Sequence, residues 1–280
     1  MRIDGRTWPP GRIARRRNLL WDRLQAWLVR DIVVVDGAEE YRFRCQNLRE
    51  FRRCGDMFTK EPGTCDWLRQ TVGAGEVFYD IGANIGVYTA LAARRVGESG
   101  RVYAFEPHCG TFARLLETVA ANKFEAIVRA CSFALHDREG FYDFNYRSTI
   151  PGTSNSQLDS LATAKETLLV PDVTELKFAT SVDALVQTHG FATPDHVKID
   201  VDGNELLILQ GMRGLLGSTD RPKSLQLEMN KRHRAEIEPF MQSHGYELAT
   251  THYSRTSQKQ IHKGRDPDEF SYNAIFRVRP

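Results

Sequence analysis

Asp80-Ile81-Gly82-Ala83-Asn84-Ile85-Gly86 follows the apolar run 76–81 and leads into Val87–Val96, a stretch with helical patterning that stops at Gly97. A strand, a turn with two glycines and a helix in this order describe the first unit of a doubly wound α/β sheet. Glycines there let the backbone turn tightly and approach a ligand with no Cβ in the way. Such a turn sits at the carboxyl ends of the strands, where folds of this class bind their ligands.

Charge then selects the ligand. A pyrophosphate-binding turn has the pattern G-x-G-x-x-G and no anion beside it, whereas here Asp80 ends the strand just before the first glycine. A carboxylate at that point repels a pyrophosphate and attracts a cationic ligand. S-adenosylmethionine, with a sulfonium and an ammonium, is the expected cofactor, and Asp80, Gly82, Asn84 and Gly86 are its expected loop. The next strand agrees, because it ends Ala104-Phe105-Glu106-Pro107. An acid there accepts hydrogen bonds from ribose hydroxyls, so Glu106, with Pro107 beside it, is the expected ribose contact. Ser132, Phe133 and Ala134, at the end of the third strand, are expected to face the adenine.

A second dense cluster is His196-Val197-Lys198-Ile199-Asp200-Val201-Asp202-Gly203-Asn204-Glu205. Alternating β-branched residues predict a strand over 197–201. Asp200 and Asp202 then share a parity at its carboxyl end, Lys198 can pair with a carboxylate, and Glu205 complements the start of the following helix. The strand over 225–229 carries another acid, Glu228. Asp200, Asp202 and Glu228 are expected to converge, either raising one another's pKa or holding a hard cation such as Mg²⁺. Asp200 is also counted with the cofactor contacts. As the base for an acceptor hydroxyl, Asp200 comes first, with Glu228 and His233 behind it.

Around these motifs the chain alternates strand and helix: strands over 101–105, 127–133, 246–250 and 274–278, helices over 110–122, 204–216 and 231–244. That alternation predicts a mostly parallel sheet with helices on both faces. Between Phe141 and Leu176 it stops, and the polar segment 147–160 reads as a long loop over the acceptor. Residues 1–75 read as an appendage. Leu20, Leu24, Trp27 and Leu28 predict an amphipathic helix over 13–30, a candidate homodimer contact, and Ile32–Val35, Asp36-Gly37 and Tyr41–Phe43 predict a β-hairpin.

The chain has 280 residues and a net charge of +2, which gives no electrostatic footprint for nucleic acid; the run Arg12, Arg15, Arg16, Arg17 reads as a solvated helix end. Five cysteines without a CxxC pair argue against a disulfide framework or a zinc knuckle and point to the cytoplasm. No apolar run reaches the length of a membrane span.

The stretches DIGANIGVYT, GRVYAFEP and KIDVDGNE, in this order and spacing, resemble the FkbM-type methyltransferases over residues 76–280. The resemblance implies a Rossmann-like class I fold whose seven-stranded sheet ends in an antiparallel strand. It implies S-adenosylmethionine as methyl donor and an oxygen acceptor on a sugar, a polysaccharide precursor, a polyketide or another small metabolite. Carried over by position, Asp80, Gly82, Asn84 and Gly86 match the donor loop and Glu106 the ribose acid. Lys198, Asp200, Asp202 and Glu205 match the third motif, with Asp202 standing where the family often has glutamate. A nicotinamide oxidoreductase is disfavoured by Asp80. A nucleic-acid methyltransferase is disfavoured by the absence of an Asn/Asp-Pro-Pro-aromatic motif and of a Pro-Cys nucleophile. The alternative from a different class is a non-catalytic or acceptor-gated binding module on the same fold.

Overall fold

The structure, a computed structural model, describes residues 30–161, 168–231 and 233–279. The expected helix at 13–30, and with it the dimer contact built on Trp27 and Leu28, lies outside these residues. The predicted hairpin is present: β1 (Arg30–Asp36) and β2 (Glu39–Cys45) pair antiparallel across the Asp36-Gly37 turn. The alternation along β2 turns Tyr41, Phe43 and Cys45 inward. Helix α1 (Leu48–Gly55) starts at a capping box, in which Asn47 accepts from the Glu50 N–H while Glu50 reaches back to the Asn47 N–H. An N-terminal cap of this kind is worth about 1 kcal/mol. Helix α2 (Pro62–Thr71) starts with proline in its first turn, where no intrahelical N–H is needed.

Seven strands form the central sheet: β3 (Val77–Ile81), β4 (Arg101–Phe105), β5 (Val128–Cys131), β10 (His196–Ile199), β11 (Ser224–Met229), β12 (Tyr246–His252) and β13 (Tyr272–Val278), the numbers β6–β9 falling to a second sheet described below. Their order is β12-β13-β11-β10-β3-β4-β5; β5, β4, β3, β10 and β11 run parallel, and β13 lies antiparallel between β11 and β12. This is the Rossmann-like class I arrangement that the sequence led us to expect.

One apolar layer joins the hairpin, α1 and α2 to the sheet through Tyr41, Phe43, Trp67, Leu68, Phe78 and Leu91. Residues 41–72 thus share a core with the first strands of the sheet. The opposite layer gathers Val197, Ile199, Leu225, Leu227, Leu209, Ile237 and Phe276. Helices α3 (Val87–Val96) and α4 (Cys109–Ala121) match the predicted spans closely. The span 204–216 is instead two helices, Glu205–Gln210 and Arg213–Leu216, and 231–244 becomes helical only at Arg234.

The segment 147–160, read as a long loop, has no strand or helix from 147 to 156, and the residues on either side of it, where the alternation stops, form strands. β6 (Ala134–Leu135), β7 (Gly140–Tyr146), β8 (Gln157–Leu158) and β9 (Val173–Thr180) form a second sheet in the order β6-β9-β7-β8. The predicted strand 127–133 ends early, at Cys131, and the chain crosses to this sheet at Ala134. No helix among the described residues is long and apolar enough to cross a membrane.

Candidate donor and acceptor site

The carboxyl ends of β3, β4, β10 and β11 open into one cleft. The turn after β3 is fastened to β4, since the N–H groups of Gly82 and Ala83 both donate to the Phe105 carbonyl at 3.0 Å. Gly82 has φ +81°, and a Cβ built on it would lie 2.0 Å from the Asp200 carbonyl oxygen. Gly86 has φ +87°, and its Cβ would meet Leu115 Cδ1 at 2.7 Å. The two glycines therefore serve different contacts: the first lets β3 and β10 close at the cleft, the second lets α3 start against α4. Gly82→Ala is expected to destabilise the chain by about 2 kcal/mol or more, and to weaken S-adenosylhomocysteine binding about tenfold, because it pushes on the Asp200 backbone. Thermal unfolding and calorimetric titration check both effects; wild-type affinity in the variant would show that the turn yields without moving Asp200.

Glu106 lines the cleft, and both its oxygens are engaged by the backbone: Oε2 accepts from the Asn84 N–H at 2.8 Å and Oε1 from the His108 N–H at 2.9 Å. Burial, opposed by these two bonds, pushes its carboxyl up to about 7. Each oxygen keeps a lone pair for a further donor. Phe105, Phe133, Ala134, Leu135 and Ile208 make an apolar wall next to it, with the Phe105 and Phe133 rings edge to face at 5.7 Å. Pro107 also lines the cleft.

Asp200, Asp202 and Glu228 do converge on the cleft, joined by Glu61. Asp200 Oδ2 lies 3.1 Å from Lys198 Nζ, which is itself 3.8 Å from Asp80 Oδ1. Burial raises the Asp200 carboxyl, but Lys198 and then Lys60 outweigh it, and its pKa is lowered. Asp202, at φ +61°, accepts from the Asn155 N–H at 2.7 Å. Glu228 is different. Its Oε2 is buried without a hydrogen-bond partner. Burial first, and then the charges of Asp200, Asp202, Glu205 and Glu61, hold its pKa well above the usual carboxylate range.

Four expected contacts stand elsewhere. Asp80 is buried behind the cleft, accepting from Thr89 Oγ1 at 2.6 Å, so it acts on the cleft through Lys198. Gly86 faces Leu115 and Thr118, as above. Ser132 is exposed and absent from the lining that Phe133 and Ala134 form. His233 precedes helix Arg234–Ser243 with Nδ1 3.4 Å from Glu236 Oε1, and it too is absent from the lining. Glu205, from the third motif, fastens its own loop by accepting from Val201 N, Gly203 N and Asn230 Nδ2. The expectation of Mg²⁺ finds no support in the arrangement of these side chains. Among the described residues no three His, Cys, Asp or Glu side chains are placed to share an ion, and Asp200 and Asp202 already face Lys198 and a backbone N–H.

The sequence missed the near wall. Arg53, Lys60 and Glu61, from α1 and the turn before α2, line the cleft, and so does Asn273 of β13. Thr153–Ser156, from the loop read as an acceptor cover, line it as well. That loop is tied on both sides: Arg53 Nε donates to the Gly152 carbonyl at 2.9 Å, Arg49 Nη1 to Thr153 Oγ1 at 2.7 Å, and Gln157 Nε2 to the Asp202 carbonyl at 2.8 Å. The pairing of Asn84 Nδ2 with the Thr153 carbonyl, at 3.4 Å, links it to the donor turn. The acid-rich cleft, its Glu106 end and its apolar wall fit a nucleoside that carries positive charge.

Residues 80–248 match the methyltransferase FkbM domain. The chain is 26% identical over 211 residues to the hexuronic acid methyltransferase AglP of Haloferax volcanii, covering 75% of this chain and 79% of that protein. Among solved structures it is similar to an FkbM methyltransferase from Methylobacillus flagellatus KT, with a TM-score of 0.46 and 17% identity, over 72% of this chain; this chain spans only 43% of that one. It is also similar to the Aeropyrum pernix fibrillarin bound to S-adenosyl-L-methionine, with a TM-score of 0.45 and 12% identity, over 89% of this chain and 82% of that one.

Proposed function

Because the chain belongs to the methyltransferase FkbM domain family, we propose that it transfers the methyl group of S-adenosylmethionine to a hydroxyl of a sugar-type acceptor. The observation that carries the oxygen acceptor is Glu228, a carboxylate with a free buried oxygen in the same cleft as the donor turn. The sugar-type acceptor is supported by the hexuronic acid methyltransferase among the relatives. The setting we propose is cytoplasmic, on the cysteine usage described above.

S-adenosylmethionine, when bound, supplies a methyl group on a good leaving sulfur. The residues of this chain do the rest. Glu106 accepts from the ribose hydroxyls, the wall of Phe105, Phe133 and Leu135 covers the base, and Asp200 and Asp202 favour positive charge between them. Glu228 takes the hydroxyl proton as the oxygen–carbon bond forms and the sulfur–carbon bond breaks. Asp200, the first choice from sequence, is a weak base because Lys198 and Lys60 stabilise its ionised form. We assign it to orienting the donor.

Calorimetric titration with S-adenosylhomocysteine is expected to show micromolar binding, weakened about tenfold in Glu106→Ala, the loss of a charge-assisted hydrogen bond. Methylated sugar products are expected to survive mild alkali, as ethers do. A product that gives up its methyl group there is an ester, and it would replace the hydroxyl with a carboxylate as acceptor.

A further inference from the structure

Past Glu228 the cleft meets a second groove. The two share Lys60, Glu61, Glu228 and Asn273 and no other lining residue. The far wall of the groove is the connection between β12 and β13, which holds helix Arg255–Ile261 and the short turn Pro267–Glu269. This connection is fixed at both ends. The Arg255 N–H donates to the Lys60 carbonyl at 2.8 Å, and Arg234 donates to Asp268 Oδ1 at 2.9 Å and to the Phe270 carbonyl at 3.0 Å. The groove presents the hydroxyls of Ser254, Ser257 and Ser271, the ring of Tyr272, and the cations Lys231 and Arg265.

Its charges are unevenly committed. Lys60 lies 2.7 Å from Glu61, and Arg265 is paired with Glu269. Lys231 is exposed and has no ion-pair partner among the described residues. At the other end stand Glu61, Glu228, Asp200 and Asp202. An anion entering the groove is repelled by that end and held at Lys231, which fixes which way round a charged acceptor lies.

We infer that this groove is the acceptor site and takes a sugar carrying a carboxylate or phosphate, its reacting hydroxyl at Glu228 and its negative charge at Lys231. The inference rests on the O-methylation proposed above. Glu228 stands where the two cavities meet, so a hydroxyl reaching it from the groove faces a methyl group presented from the cleft. The serine hydroxyls and the Tyr272 ring suit the polar edge and apolar face of a sugar.

The test uses the full chain saturated with S-adenosylhomocysteine and saturation-transfer NMR with glucose, glucuronate and glucose 1-phosphate. The acidic sugars are expected to bind about tenfold more tightly than glucose, with Lys231→Glu removing that advantage and Thr256→Trp blocking all three. Whichever of glucuronate and glucose 1-phosphate binds more tightly identifies the source of the charge. S-adenosylhomocysteine affinity is expected to stay within about twofold in both variants, since neither residue lines the donor cleft. Equal binding of glucose and the acidic sugars, or no change in Lys231→Glu, overturns the inference and leaves the donor site standing. A wild-type chain that binds no S-adenosylhomocysteine overturns the donor reading, and this inference with it.

Discussion

Glu228→Gln is expected to lower kcat by about a hundredfold or more, the usual contribution of a positioned base, while S-adenosylhomocysteine affinity changes little. Glutamine keeps the size of the side chain and removes only the oxygen that can take a proton. The pH profile carries a second signature. Because burial and four neighbouring acids raise the pKa of Glu228, it holds its proton to a higher pH than an ordinary carboxyl. Activity should therefore rise with pH through that raised value, well above the ordinary carboxylate value of 4.5. The residual activity of Glu228→Gln should lose this rise. A variant with wild-type kcat would hand the base role to Asp200 or to solvent.

Lys198→Met is expected to cost about 3–5 kcal/mol of stability, because it strands buried carboxylates without their cation. Lys198 and Asp80 are each 1% exposed in their side chains and Asp200 is 26% exposed, and Lys198 contacts both. Burial works against the lysine charge, but Asp200, and then Asp80 and Glu61, raise its pKa above the ordinary value. The contribution is thus present in full at neutral pH and fades only as pH rises through that raised value. At roughly 2–4 °C per kcal/mol for a chain of this size, the midpoint of thermal unfolding should fall by about 10 °C. Adding Asp80→Asn should recover part of the loss, as it removes one stranded charge. A fall of about 1 kcal/mol or less would mean that water reaches the pair in place of the lysine.

What the sequence made legible is what local pattern encodes. β3 announces itself by an apolar run, β10 and β11 by apolar alternation, and Gly82 and Glu106 by their places at strand ends. Arg53, Lys60 and Glu61 carry no such mark. They reach the cleft because Trp67 and Leu68 of α2 bury against Phe78 and its neighbours, a long-range packing that no motif records. The second sheet was hidden for a related reason. β7 and β9 pair across a long connection, and β9 buries only Ala179 and Thr180 fully, so it lacks the continuous buried apolar face that marks a strand in the sequence. His233 misled because a histidine near an acid at a strand end suggests catalysis, whereas helix geometry gives it Glu236, one turn along, as its neighbour.

The position of β13 has a consequence for how the chain is made. β12 comes first in sequence, yet among the described residues its only strand partner in the sheet is β13, which also takes the open edge of β11. Until Tyr272–Val278 have left the ribosome, β12 has no partner strand and β11 stays an uncovered edge, the kind that joins neighbouring chains. Glu228 and Asn273 face each other in that last pairing. The same strand therefore completes the sheet and supplies Asn273 to the junction of the two cavities. A chain stopped short of residue 272 forfeits both.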